Sequence, residues 1–173
     1  MSIFDLDAAI RKVPDFPKKG ILFYDITSIL MQPKAFSFCI DTMYNLYKDK
    51  PLNGIAAVES RGFLFAAPLA AKLHLPLLLI RKKGKLPGKI YECEYALEYG
   101  SATIEAHQSD ITRGGKYLVI DDLIATGGTL QACKKILAQG GAEVSEFFAV
   151  IGLSEFPYAD VLAPTPVTTL VTY

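Results

Sequence analysis

Two adjacent carboxylates and a short segment containing glycine and threonine form the part of this sequence best suited to bind a ligand. Asp121 and Asp122 directly follow an apolar run at 117–120 that has the length of a buried strand. Two apolar residues later, the chain continues as Ala125, Thr126, Gly127, Gly128 and Thr129. A helix is predicted to begin near Leu130. Because open α/β sheets bind ligands where a strand ends and the next helix begins, this spacing predicts a binding site at 121–129.

The residue types of this segment indicate a phosphorylated sugar as the ligand. Glycine backbone can approach a ligand closely, and the free N–H groups and the dipole at a helix start favour an anion such as a phosphate monoester. Asp121 and Asp122 repel phosphate, but they can accept hydrogen bonds from a vicinal diol or orient a bound cation. Phosphate beside a diol is the pattern of a ribose 5-phosphate.

Each of these two motifs has an ordinary structural interpretation when it stands alone. An Asp-Asp pair is usually a solvated turn, and Thr-Gly-Gly-Thr is usually a plain helix start. Their succession behind a fully apolar strand favours ligand binding instead. Other phosphate motifs are not supported: the chain has no Gly-x-Gly-x-x-Gly, and the segment from Gly84 to Lys89 is one residue short of a triphosphate-binding loop. Ile90 also stands where that loop needs a hydroxyl residue.

Composition narrows the class of protein. The chain has 173 residues, with 18 Lys and Arg against 18 Asp and Glu, so its net charge of zero argues against dedicated binding to nucleic acid or to an anionic membrane surface. With 51% hydrophobic and 21% charged residues it is predicted to fold as one globular domain, and no repeat or linker divides it.

Membrane insertion, secretion and metal ligation by cysteine are not expected. The longest apolar stretches, 75–80 and 144–153, are too short to span a bilayer. The first 20 residues carry scattered charges and lack the apolar run of a secretory signal, which favours a cytoplasmic location. Three cysteines and two histidines match no zinc or redox spacing, so the thiols are expected to be reduced.

Short apolar runs alternate with helical segments, which predicts an α/β fold with a parallel sheet flanked by helices on both faces. The predicted strands are 55–58, 77–80, 117–120, 147–153 and 167–171. The predicted helices are 3–13, 34–48, 65–73 and 129–139, with Pro68 in the first turn of the third. Between the second and third strands, a basic loop at 81–89 precedes a predicted antiparallel hairpin with strands near 90–95 and 102–107.

Five strings in this order resemble the type I phosphoribosyltransferases, and within that family the enzymes that use adenine. The strings are Phe16-Pro17 to Asp25-Ile26, Glu59 to Phe65, Arg81 to Gly88, Leu97 to Gly100, and Val119 to Thr129. The resemblance implies a single domain over 1–173, a small base-binding hood segment at 1–35, and a basic loop and hairpin lid at 81–115. The implied activity is purine salvage, in which 5-phosphoribosyl passes from phosphoribosyl pyrophosphate to adenine and gives AMP and pyrophosphate.

The resemblance also assigns roles around the sugar and the leaving group. It implies that 125–129 hold the 5-phosphate and that Asp121 and Asp122 hold the ribose. The pyrophosphate would be bound by Ser60, Arg61, Arg81, Lys82 and Lys85. Some of these cations are expected to reach the site of a partner subunit in a homodimer, and the turn at 60–62 is expected to contain a non-proline cis peptide. Mg²⁺ would be bound by the donor's oxygens. No direct protein ligand is expected, although Asp121 could contact the ion through water.

Catalysis and base choice are assigned in the same way. Glu98 would be the catalytic carboxylate on a mobile lid with Tyr99, and Arg61 would assist catalysis at the leaving group. Adenine would contact Leu22, Phe23, Tyr24 and Leu123. Tyr24 departs from the family pattern, because many relatives carry arginine there, and this departure puts the shape of the base pocket in question.

Two alternatives stay open at this point. One is a non-catalytic regulator that senses phosphoribosyl pyrophosphate, although such proteins usually add a DNA-binding helical module for which this short, neutral chain has little room. The other is a phosphoribosyltransferase for a 6-oxo purine. An assay that offers adenine, hypoxanthine and guanine separates all three hypotheses.

Overall fold

The computed structural model describes residues 4–96 and 100–173. The strands are β1 (Arg11–Pro14), β2 (Leu22–Asp25), β3 (Gly54–Val58), β4 (Leu77–Lys82), β5 (Ile90–Ala96), β6 (Ser101–His107), β7 (Lys116–Ile124), β8 (Glu143–Gly152) and β9 (Val167–Thr172). The helices are α1 (Thr27–Leu30), α2 (Pro33–Tyr47), α3 (Gly62–Leu73), α4 (Gly128–Gln139) and α5 (Tyr158–Leu162), with 3₁₀ turns at Asp7–Ala9 and Gln108–Asp110. No helix in the described ranges is long and apolar enough to cross a membrane.

A seven-stranded sheet in the order β5-β6-β4-β3-β7-β8-β9 forms the centre of the fold. Five neighbouring strands, β4, β3, β7, β8 and β9, run parallel to one another. Strand β6 pairs antiparallel with both β4 and β5. The predicted α/β class and the hairpin are therefore confirmed. The hairpin extends the same sheet, because Arg81 and Lys82 at the end of β4 pair with Glu105 and Ile104 of β6.

Helices cover both faces of the sheet, which explains why its central strands are apolar without alternation. All of β3 is buried, with Ile55 and Ala57 in one core cluster and Ala56 and Val58 in the other. The first cluster contains buried residues of α2 and α3, and the second contains those of α4. Successive side chains of a strand point to opposite faces, so a strand between two helical layers needs apolar residues at every position.

The predicted helix at 3–13 is wrong over its described part. Asp7–Ala9 form a 3₁₀ turn, and β1 follows and pairs antiparallel with β2, matching Arg11 with Asp25. The Arg11 N–H donates to Ser28 Oγ at 2.8 Å, and this hydroxyl donates to the Ala9 carbonyl at 2.7 Å. Leu6, Ala9 and Ile10 are buried. The apolar residues whose spacing suggested a helix are thus buried by a 3₁₀ turn followed by a strand.

Two further boundaries differ from the prediction. Helix α3 begins at Gly62 instead of Phe65, so Pro68 lies inside the helix and removes one helical hydrogen bond. Strand β7 continues through Ile124, so Asp121 and Asp122 belong to the strand and not to a turn after it. Pairing with β8 up to Ile124 and Gly152 keeps this stretch extended. The other predicted strands and the helices α2 and α4 are confirmed within a few residues.

Candidate active site

A cleft of about 320 Å³ lies at the carboxyl ends of β3 and β7. Most of the residues predicted for the sugar, its phosphate and the pyrophosphate line it, namely Ser60, Arg61, Lys82, Asp121, Asp122, Ala125, Thr126, Gly127, Gly128 and Thr129. The parallel pairing of β3 with β7 brings these two chain segments together, since it aligns their carboxyl ends at one edge of the sheet. The cleft therefore stands where the sequence predicts a binding site.

The loop from β7 to α4 has the backbone geometry of an anion-binding helix start. Gly127 has a φ of 82°, which L-residues with side chains rarely adopt, and it precedes α4 directly. A Cβ at this position would lie 3.3 Å from Leu162 Cγ. Within the described chain no side chain caps the start of α4, so its first N–H groups stay available for a ligand. This geometry suits the predicted phosphate.

The turn between β3 and α3 is packed tightly against the end of β7. A Cβ on Gly62 would lie 2.8 Å from the Ile120 carbonyl oxygen and 3.1 Å from Asp121 Cα, so only glycine fits between them. The Glu59–Ser60 peptide bond is cis, as the resemblance implied. The close approach sets Ser60 and Arg61 beside the two aspartates.

Asp121 and Asp122 have different partners. Arg61 Nε donates to Asp122 Oδ2 at 2.5 Å, and only 5% of the Asp122 side chain is exposed, against 53% for Arg61. Asp121 Oδ1 accepts the Asp122 N–H at 2.9 Å. Burial, followed by the negative charge of Asp122, raises the pKa of Asp121 well above its usual value. Arg61 is thus held by Asp122, while Asp121 is a carboxylate whose charge is disfavoured.

Two of the residues predicted for pyrophosphate, Arg81 and Lys82, are hydrogen-bonded to Glu59. Its Oε2 accepts from Arg81 Nε at 3.0 Å and from the Lys82 N–H at 2.8 Å. The Lys82 N–H bond, and after it the Arg81 bond, lowers the pKa of Glu59. Lys82 lines the cleft beside Glu59, whereas Arg81 is held behind that carboxylate and is not a lining residue.

The basic loop is shaped by a buried carboxylate on β6. Glu105 is 1% exposed and accepts three backbone N–H bonds, from Gly84 at 3.1 Å and from Lys85 and Leu86 at 2.7 Å each. Burial by itself would raise the pKa of Glu105, but these three bonds hold it below its usual value. Lys85 is close enough to Glu59 for its charge to act on that carboxylate. Glu105 therefore fixes the loop that carries Lys85 near the cleft.

A second cavity, of about 750 Å³, adjoins the cleft through Ala125, which lines both. Leu22 and Tyr24 of β2 line it, and so do Leu153 and Tyr173. Two of the predicted adenine contacts lie here, and the other two do not. Leu123 lines the first cleft, and the Phe23 ring packs edge-on against Phe16 with centroids 5.1 Å apart.

Glu98 and Tyr99 lie outside the described residues. The strand that leads toward them does reach the cleft: Tyr95 lines it, and the Ala96 carbonyl oxygen lies 3.6 Å from the Cβ position of Gly128. The start of α4 and the end of β5 are therefore in contact.

Sequence reasoning missed several residues at the two cavities. Glu59 and Tyr95 line the cleft, while Ser154, Glu155, Phe156 and Tyr173 line the second cavity. Glu59 stands directly before the predicted Ser60-Arg61 pair, which was a usable signal. Ser154, Glu155, Phe156 and Tyr173 lie far along the chain from the hood segment and reach the second cavity only through the order of the strands in the sheet. Tyr95 reaches the cleft on β5 of the hairpin. In the described part of the chain, no group of three or more His, Cys, Asp or Glu side chains could hold a metal.

Known proteins share both the sequence and this architecture. Residues 25–153 match the family described as the phosphoribosyl transferase domain. The adenine phosphoribosyltransferase of Treponema denticola is 58% identical over 97% of this chain and 88% of its own length.

Two solved structures are similar over almost the whole fold. Adenine phosphoribosyltransferase from Thermoanaerobacter pseudethanolicus superposes with a TM-score of 0.92 at 38% identity, covering 97% of this chain and 98% of that one. The Saccharomyces cerevisiae enzyme, complexed with D-2,5-dideoxy-2,5-imino-altritol 1,6-bisphosphate and adenine, gives 0.90 at 35% identity over 96% of both chains. By family match, identity and fold, this chain belongs to the adenine phosphoribosyltransferases of the phosphoribosyltransferase family.

Proposed function

We propose that this chain transfers the 5-phosphoribosyl group of phosphoribosyl pyrophosphate to adenine, giving AMP and pyrophosphate in purine salvage, with the residue roles that follow. The observation that carries these roles is the contact of the two cavities at Ala125. A charged cleft with a helix start adjoins a larger cavity bordered by Leu22, Tyr24 and Leu153. The sugar phosphate occupies the first and the base the second, so the bond between them forms at the junction.

The 5-phosphate binds the backbone N–H groups of 125–129, where the dipole of α4 favours a dianion. Asp121 lines the cleft and accepts hydrogen bonds from the ribose hydroxyls. Asp122 also binds the ribose hydroxyls, and it holds Arg61 through the 2.5 Å hydrogen bond. Positioning of the donor by these contacts supplies the proximity that the reaction needs.

The leaving pyrophosphate carries negative charge, which the cations around Glu59 neutralise. Ser60 and Arg61 lie in the turn after β3, and Lys82 also lines the cleft. Arg81 and Lys85 add positive charge, and a second subunit completes this set in a homodimer. Preorganised cations at the leaving group stabilise the transition state without moving during the reaction.

Magnesium fits this site through the donor's oxygens. Asp121 is a carboxylate at the cleft surface and suits a water-mediated contact to a hydrated Mg²⁺, which keeps several waters in proteins. When bound, Mg²⁺ would offset part of the negative charge of the pyrophosphate. Its presence would also favour the charged form of Asp121, which burial disfavours.

Bond formation and proton removal occur at the imidazole ring of adenine. A ring nitrogen attacks the anomeric carbon, the bond from that carbon to pyrophosphate breaks, and Glu98 accepts or shares the proton that the base loses. The hairpin that carries Glu98 and Tyr99 closes over the cleft and excludes water, which could otherwise capture the sugar.

Base choice lies in the hood segment. Main-chain groups of Leu22, Phe23 and Tyr24 pair with the amine and a ring nitrogen of adenine, and Leu123 packs on the ring. A buried acceptor aimed at an amine is left unpaired against a 6-oxo purine, a mismatch that can reach about 10⁴-fold. We also place the enzyme in the cytoplasm, in keeping with soluble substrates.

One assay tests this function. The chain is incubated with phosphoribosyl pyrophosphate, Mg²⁺ and one of adenine, hypoxanthine or guanine, and nucleotide formation is followed by chromatography. AMP from adenine, with far slower product from the other two bases, is the expected result. Preferred use of hypoxanthine or guanine would identify a 6-oxo purine enzyme, and binding of the donor without any product would identify a regulator.

A further inference from the structure

Tyr173 is a wall of the base cavity that the sequence did not suggest. It lines the cavity together with Leu22 and Tyr24. Its ring stacks on that of Tyr24, with centroids 3.9 Å apart and an angle of 16° between the planes. The stacked pair joins the strand that carries the predicted adenine contacts to a residue at the other end of the described chain.

The backbone of Tyr173 is fixed to the main sheet. Its N–H donates to the Gly152 carbonyl at 2.9 Å, and its carbonyl accepts from both the N–H and the Oγ of Ser154 at 2.6 Å each. Gly152 ends β8, and Ser154 lines the base cavity. The main chain of Tyr173 therefore has little freedom to move relative to the cavity.

The side chain of Tyr173 is fixed to the hood segment. Its hydroxyl donates to Asp7 Oδ1, and Lys12 Nζ lies 4.9 Å from its ring centroid while pairing with Asp7 at 2.8 Å. The bond to Lys12, and then the one to Tyr173, lowers the pKa of Asp7, in agreement with a charged acceptor for the hydroxyl. One side chain thus connects both ends of the described chain.

This connection matters because β1 and β2 form only a two-stranded sheet. Such a ribbon is marginally stable by itself and takes its position from what packs against it. Aromatic pairs contribute beyond their buried area, and an aromatic ring loses little rotamer freedom when it is fixed.

We infer that Tyr173 is a positioning residue for the base: through its stack on Tyr24 and its bond to Asp7 it sets the place of β2 at the adenine cavity. This inference rests on the proposed function, since it takes the second cavity to be the adenine site. The expected consequence of losing Tyr173 is weaker adenine binding with little change toward the sugar donor.

The test compares steady-state constants for both substrates in the parent and four variants. Tyr173→Ala removes the stack and the hydroxyl, and Tyr173→Leu keeps an apolar side chain in place should the alanine variant fail to fold. Tyr173→Phe keeps the stack and removes only the bond to Asp7. Tyr44→Ala is the matched control, because Tyr44 also has a lysine, Lys72, 4.9 Å from its ring centroid but lines neither cavity.

For Tyr173→Ala and Tyr173→Leu we expect the KM for adenine to rise about tenfold or more, and for Tyr173→Phe about two- to threefold. The KM for phosphoribosyl pyrophosphate should stay within about twofold in all variants, and Tyr44→Ala should change neither constant. A general loss of stability would not separate the two substrates in this way.

An adenine KM within twofold of the parent in Tyr173→Leu, or equal rises for both substrates, would overturn the inference while leaving the proposed function standing. No AMP formation by the unmodified chain would instead refute the proposed function, and the inference with it.

Discussion

Asp121 and Asp122 are neighbours in sequence, yet their surroundings give them opposite effects on stability. Asp122 is almost fully buried and bonded to Arg61. Asp121 is partly buried, and burial together with the charge of Asp122 raises its pKa. Keeping Asp121 charged at neutral pH therefore costs folding free energy. This cost agrees with the proposed role of Asp121, because hydrogen bonds from the substrate's ribose would stabilise the charged form.

Asp121→Asn is expected to stabilise the chain by about 0.5–2 kcal/mol at pH 8 while weakening AMP binding. Asparagine has the same shape, and its Oδ1 can still accept the Asp122 N–H. Because the pKa of Asp121 is raised in the folded state, the parent loses stability as pH rises from the usual value of 3.8 through that raised pKa. The difference between the two proteins in urea unfolding should therefore be large at pH 8 and small near pH 4.

Asp122→Asn is the matched comparison and should act with the opposite sign. It removes the charge that holds Arg61, whose half-exposed side chain limits the loss to about 1 kcal/mol. Destabilisation by Asp121→Asn at pH 8 would contradict the assignment of a disfavoured charge at that position.

In the proposed function, Glu98 has the most direct role in the chemistry. Glu98→Gln is expected to lower kcat about a hundredfold, roughly 3 kcal/mol, because the amide cannot take the proton from adenine. The KM for phosphoribosyl pyrophosphate should change little. Glu92→Gln is the control, since Glu92 is an exposed glutamate on β5 of the same hairpin, 3.8 Å from Lys83. A kcat for Glu98→Gln equal to that of Glu92→Gln would remove Glu98 from the mechanism.

At the scale of elements, a carboxylate on β6 holds the basic loop in place. Gly84, Lys85 and Leu86 all direct their backbone N–H groups to the Glu105 carboxylate. Lysines repel one another, so a loop of this composition would otherwise be extended by its charge. The buried carboxylate offsets that repulsion and keeps Lys85 near Glu59 and the cleft.

Glu105→Gln is expected to raise the KM for phosphoribosyl pyrophosphate severalfold and to cost about 1–3 kcal/mol of stability at pH 7, since the amide leaves at least one loop N–H without an acceptor. Because the pKa of Glu105 is lowered in the folded state, its contribution is complete above the usual value of 4.5 and is lost as pH falls through the lowered pKa. Urea unfolding at pH 7 and at pH 3 measures this loss.

The control for that measurement is Glu143→Gln, which alters an exposed glutamate 3.5 Å from Lys116 and should change neither constant. Equal KM values for phosphoribosyl pyrophosphate in the two variants would show that the loop keeps its shape without Glu105.

On the scale of the whole molecule, the sequence was most informative where burial is on both sides of an element. Strands β3, β7 and β8 carry uninterrupted apolar runs because helices cover both faces, and their existence and parallel direction could be predicted. Helix α4 could be placed from its apolar spacing and the glycines that follow it. The helix at 3–13 was mispredicted because a 3₁₀ turn followed by a strand buries the same residues as a helix would.

The sites divide in the same way. The loop at 125–129, which we propose binds phosphate, is local in sequence, so the spacing of aspartate, threonine and glycine suffices to predict a candidate site there. Asp122 holds Arg61 across a separation of 61 residues in the chain, and Glu59 holds Arg81 across 22. The contact of Tyr173 with Asp7 spans 166 residues. No local pattern indicates such pairs, because sheet order alone brings them together.

A homodimer is the expected assembly, because the resemblance to the family implies that a second subunit contributes part of the pyrophosphate site. Sedimentation equilibrium should give about twice the chain mass of 18.9 kDa, and activity should fall on dilution below the dissociation constant of the dimer. Full activity of a species with the mass of one chain would contradict the shared site.

The most direct test of the proposed function is a crystal structure of the chain with AMP bound. We expect the 5-phosphate on the N–H groups of 125–129, the ribose hydroxyls on Asp121 and Asp122, and the adenine ring beside Leu22 and Tyr24 in the cavity that Tyr173 lines. A nucleotide bound elsewhere, with the loop between β7 and α4 free of phosphate, would contradict it.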